Sequence, residues 1–222
     1  MTHGKHFTYK TKFAFTMIEL VMVIVVLGIL ASLAMPRLDR DLKQEAADAV
    51  LSNIRYTQHL ALIDNKHSFS NPQWQRAFWK ISFESCAGGG VFLSIGTDID
   101  YQGDTDRNEA ALDPINLKPM FWTNTEACTN GGDNTVSPDI FLTKKYGVTA
   151  VNGTQGCNGI QHIGFDHLGR PHVSFSASTT PNYSSYMNSV CRFTFTMSNS
   201  ETFAIDIRPE TGYANIVGQD GS

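Results

Sequence analysis

FAFTMIELVMVIVVLGILASLAMPRL, residues 13–38, is the stretch on which the fold turns. Its apolar run from 18 to 35 is interrupted only by Glu19, Gly28 and Ser32. At about 1.5 Å per residue, a helix over it approaches the thickness of a bilayer core. A carboxylate near the start of such a run is costly in lipid unless it is neutralised or meets a cation. Lys5, Lys10 and Lys12 precede the run and no acidic residue comes before Glu19, while the rest of the chain holds 14 basic against 21 acidic residues. This asymmetry predicts a cytoplasmic amino terminus, one membrane pass and an exported carboxyl-terminal domain. The run is longer than the ~7 to 15 apolar residues of a secretory signal peptide, so it reads as an anchor that is kept. The acidic remainder argues against bulk affinity for polyanions, and nucleic acid is not an expected partner.

Pro36 lacks an amide hydrogen and clashes with the preceding turn, so a helix kink is expected there. Beyond it, Leu38, Leu42, Ala46, Ala49, Val50, Asn53, Thr57, Leu60 and Ala61 recur at helical spacing, which predicts an amphipathic helix to about residue 64. From residue 65 short β-prone runs alternate with Gly, Asn, Pro and Ser. Strands are expected at 76–84, 91–95, 140–142, 160–165, 171–176, 190–197, 203–208 and 213–217. The expected class is α+β: one long helix, membrane-spanning in its first half, packed on an antiparallel sheet. The expected segments are 1–14, a basic leader; 15–36, the membrane helix; 37–66, the amphipathic continuation; and 67–222, a β-rich domain.

Phe15-Thr16-Met17-Ile18-Glu19-Leu20 resembles the processing and methylation motif of type IV prepilins and type II secretion pseudopilins. The resemblance implies cleavage by prepilin peptidase between Ala14 and Phe15, with Ala14 standing where the family usually has Gly. It also implies N-methylation of Phe15 and subunit assembly through Phe15 and Glu19, the Glu19 carboxylate pairing with the new amino terminus of an adjacent subunit. A buried pair of this kind selects register more than it adds stability. The implied partners are other pseudopilins or pilins in a filament, prepilin peptidase and an inner-membrane assembly platform. The implied location is the bacterial inner membrane with the globular domain in the periplasm.

Ile163-Gly164-Phe165-Asp166-His167-Leu168-Gly169-Arg170-Pro171, followed by Ile205-Asp206-Ile207-Arg208-Pro209-Glu210-Thr211-Gly212-Tyr213, is similar to the ending of H-type pseudopilins and related minor pilins of the FimT/GspH type. Some of these bind DNA through a basic Gly-Arg-x-Arg ending. Here Thr211-Gly212-Tyr213-Ala214 stands at that place without an arginine, and phosphate binding needs cationic donors. Support of protein secretion is therefore the expected task, with DNA uptake or surface adhesion as the alternative.

Cys86, Cys128, Cys157 and Cys191 all lie in the part expected to face an oxidising compartment, which predicts disulfides. Three pairings are possible. Cys86 with Cys128 and Cys157 with Cys191 is favoured because each closes a loop within one region, and no Cys-x-x-Cys points to zinc. Asp98, Asp100, Gln102, Asp104, Asp106 and Glu109, with Gly103 among them, have the spacing of a calcium loop, so a loop-ordering Ca2+ is the one candidate cofactor and none is required. No Gly-x-Ser-x-Gly, phosphate loop or dinucleotide fingerprint occurs, and His162, His167 and His172 are spaced so as to alternate faces in a strand, so a non-enzymatic protein is expected. Trp74, Phe78, Trp79, Phe121 and Trp122 read as core or filament contacts.

Overall fold

The computed structural model describes residues 16–219, with side chains described outside 33–41. The chain divides after Asp41 into two compact units, and the leader, Ala14 and Phe15 lie outside the described residues. Helix α1, Met17–Ile63, begins in the first unit and is continuous through position 36. Every described side chain from 16 to 32 is exposed. Among the described residues no helix is long and apolar enough to cross a membrane. The expected span, 15–36, runs past the described side chains at both ends.

The second unit is α+β with two antiparallel sheets. Strands β1 (Trp79–Ser85), β2 (Val91–Gly96), β4 (His162–Phe165) and β5 (Pro171–His172) form one sheet in the order β2-β1-β4-β5. Strands β3 (Val148–Gln155), β6 (Cys191–Met197), β7 (Thr202–Ile207) and β8 (Ala214–Ile216) form the other in the order β3-β6-β7-β8. The single sheet expected from the sequence is thus two. Phe83 of β1 meets Phe193 and Phe195 of β6 at centroid distances of 5.1 and 5.2 Å, which places one core between the sheets. Ala46, Ala47, Val50, Leu51, Ile54 and Ala61 of α1 are buried in that core. The three- and four-residue spacing of these positions gives α1 the stripe that covers strand side chains.

Three local expectations are corrected. Residues 140–142 are not a strand; Ser137 accepts from the Asp139 amide to cap a short 3-10 turn, Pro138–Ile140, which leads into α2, Leu142–Tyr146. Gly147 ends α2 at φ 75°, a conformation that glycine adopts without a Cβ clash. The expected strand at 171–176 shortens to Pro171–His172 because Ser174 turns the chain at φ 56°. Strand β3 was not expected, since it is a half-exposed edge and its Asn152-Gly153 reads as a turn.

Candidate functional site

At the start of α1, Thr16 Oγ1 accepts from the Glu19 amide at 3.3 Å, and Thr16 O accepts from the Glu19 and Leu20 amides. The hydroxyl shares, with the Thr16 carbonyl, a first-turn N–H that lacks the usual i−4 acceptor. Glu19 also lies in the first turn, where a negative charge complements the helix dipole. This local role of Thr16-x-x-Glu19 was missed in the reading of the sequence, although a Thr three residues before a Glu at the head of an apolar run is its signal. Immediately beyond, Met17 is 86% exposed and Ile18 69% exposed. Pro36 lies within α1, and its side chain is not among those described.

The acidic loop does not close as one ring of oxygens. Asp98, Asp100 and Glu109 converge, with ligand atoms within 4.8 Å of one another, whereas Asp104 and Asp106 stand outside that cluster and Gln102 is exposed. The flanks explain the difference: β2 leads in and a single 3-10 turn, Arg107–Glu109, leads out, in place of two helices. Glu109 spends its oxygens on the loop itself. Its Oε1 accepts from the amides of Ile99 at 2.7 Å and Asp100 at 3.0 Å, and its Oε2 accepts from the Asp106 amide at 3.1 Å. Asp98 is fully buried; Arg76 Nε donates to its Oδ2 at 3.0 Å, and its Oδ1 has no partner. Arg76 was not foreseen as part of this cluster, because the β1–β2 hairpin brings it from 22 residues away.

The cysteines pair as Cys86–Cys128 and Cys157–Cys191, the favoured pairing. The first ties the end of β1 to the long segment that follows β2, and the second ties the turn after β3 to the start of β6. His162, His167 and His172 join no cluster of metal-ligating side chains among the described residues. His172 is buried, with Nδ1 2.8 Å from Ser185 Oγ and Nε2 3.5 Å from Asp166 Oδ2. Asp166 also accepts from the Leu168 and Arg170 amides at 2.9 Å each and from Arg170 Nε at 2.7 Å. Despite the opposing effect of burial, hydrogen bonds from His172 and Arg170 and from the turn amides hold its carboxyl well below the usual range. These residues fix the Gly169 turn. Neither a family model, nor a curated protein, nor a solved structure matches the chain. The functional reading therefore rests on the residues themselves.

Among the aromatics, Phe78 and Trp122 are buried. Trp122 packs edge-on against Phe141 at 5.5 Å, and Trp74 meets Phe78 at 5.3 Å, so these are largely packing residues, as expected. Phe121 is only half-buried and has a different setting, described below.

Proposed function

We propose that the chain is a non-enzymatic, minor pseudopilin-like subunit, anchored in the inner membrane by the first half of α1 and assembled through that helix into a periplasmic filament that supports protein secretion. The observation that carries this reading is the uncovered apolar surface of α1. Its side chains from Met17 to Leu30 are exposed throughout, with one carboxylate among them. Water is a poor solvent for such a surface, so lipid or neighbouring helices are its natural cover. Processing by prepilin peptidase between Ala14 and Phe15 supplies an amine for Glu19 of an adjacent subunit, and Pro36, which removes one helical hydrogen bond, is the weak point of α1 at which a kink is expected. The two disulfides fit a domain placed in an oxidising compartment. Asp98, Asp100 and Glu109 offer hard oxygens for a Ca2+ whose role is loop order, with the buried Asp98 Oδ1 as the oxygen lacking a protein partner. The test is Glu19→Leu in membranes of the producing cell. Insertion is retained and chemical cross-links between subunits are lost; undiminished cross-links contradict the reading.

A further inference from the structure

The outward face of β1 is polar and nevertheless covered. Lys80, Ser82 and Glu84 alternate with the core residues Ile81 and Phe83, as strand geometry dictates, so the three share the face away from the core. In register across the sheet, Ser82 lies between Ser94 of β2 and His162 of β4, which makes a three-strand row of polar side chains. Gly96 and Gly164 flank Lys80 in the same way. A Cβ on Gly96 would lie 2.3 Å from the Thr105 methyl, and one on Gly164 would lie 2.3 Å from the Phe175 ring, so the glycines let covering segments close over the strands. Lys80, Ser82 and Ser94 are each at most 8% exposed.

Between floor and cover lies a cavity of about 210 Å³, lined by Lys80, Glu84, Asp104, Phe121, Trp122 and Asn124 among others. A second, of about 200 Å³, shares Lys80, Ser82, Glu84, Asp104 and Asn124 with it and extends the cleft to His162. In the lining Asn124 hydrogen-bonds the Glu84 carboxylate, while other polar groups are left without a partner. Thr105 Oγ1 and Trp122 Nε1 are buried without partners, and Lys80 makes no ion pair or side-chain hydrogen bond among the described residues. Lys80, which lines both cavities, is the group whose donors a ligand or water in the cleft can complete.

We propose that this cleft binds a neutral, hydroxyl-rich ligand the size of one sugar ring, such as the terminal residue of a surface glycan. The charges select this class. An anion meets Glu84 and Asp104, and a cation meets Lys80 in the floor. Burial also pushes the Lys80 ammonium down and the Glu84 carboxyl up, the latter reinforced by Asp104, so the cleft disfavours further charge. Hydroxyls, by contrast, donate to Glu84 and Asp104 and accept from Lys80, while Phe121 in the lining adds apolar surface for sugar C–H groups. Each cavity by itself is smaller than the ~300 Å³ at which drug-sized pockets begin, which suits one ring per cavity. The inference is independent of the filament reading.

The test is saturation-transfer NMR on the full chain in a detergent without a sugar headgroup, with glucose, galactose, mannose and N-acetylglucosamine as probes and glycine as a zwitterion. At least one sugar receives saturation, and the signal falls about fivefold in both Glu84→Gln and Asn124→Ala. It is unchanged in Glu126→Gln, which alters an exposed carboxylate outside the cleft. Thermal melts alongside show that the variants fold. Saturation of no sugar, of glycine alone, or of sugars equally in all variants overturns the proposal.

Discussion

Gln58 Nε2 donates to Gly169 O at 2.8 Å and, from the same amide, to Thr211 O at 2.9 Å. One side chain of α1 thereby holds two turns that lie 42 residues apart in the chain, both within the segments that carry the resemblance to H-type pseudopilins. Gly212 sits at φ 66°, and a Cβ there would lie 2.4 Å from Gly169 O and 2.5 Å from Gln58 Nε2.

Gly212→Ala is therefore expected to cost more than Gln58→Ala. The alanine combines a left-handed backbone with a backbone collision, a penalty of about 2 to 3 kcal/mol, while Gln58→Ala removes two hydrogen bonds at about 1 to 2 kcal/mol in all. Urea denaturation of the two variants orders them.

Asp166 makes stability depend on acid. Its folded-state carboxyl is held below its unfolded value, so its contribution is full above the unfolded value, near pH ~4, and is lost as pH falls below that toward the folded value. Asp166→Asn is expected to lower stability at pH 7 by about 2 to 3 kcal/mol and to flatten the decline between about pH 4 and 2. Unfolding free energies measured across that range check both the size and the sign.

Cys157–Cys191 joins positions 34 apart. Replacing both cysteines by serine is expected to cost about 3 to 4 kcal/mol through the freed unfolded chain. A thermal melt of the double variant under oxidising conditions measures the loss.

Calcium is expected to raise the melting temperature of the parent, and a chelator to reverse the rise. In Glu109→Gln both the rise and part of the basal stability disappear, because Glu109 accepts from three backbone amides as well as facing Asp98 and Asp100. Equal melting with calcium and with chelator removes the ion from the account.

The elements legible in the sequence are those with one clean period. Strand β6 alternates buried and half-buried residues from Cys191 to Met197, and the α1 stripe recurs from Ala46 to Ala61. Strand β3 hid because an edge strand buries little and tolerates Asn152-Gly153 in its middle. The division into two sheets hid because local alternation does not say which strands pair. Asp98 looked like one ligand among six, yet its ion pair with Arg76 depends on hairpin register. The cleft was illegible for a related reason: a strand expected at 76–84 does not say what covers Lys80, Ser82 and Glu84, and only the loops bearing Thr105 and Trp122 close over that face.

The most direct measurement is the intact mass of the protein recovered from membranes of the cell that makes it. The account predicts a chain that begins at Phe15 with a methylated amino group, the amine proposed to pair with Glu19 of an adjacent subunit. A chain that still begins at Met1 in the working assembly contradicts it.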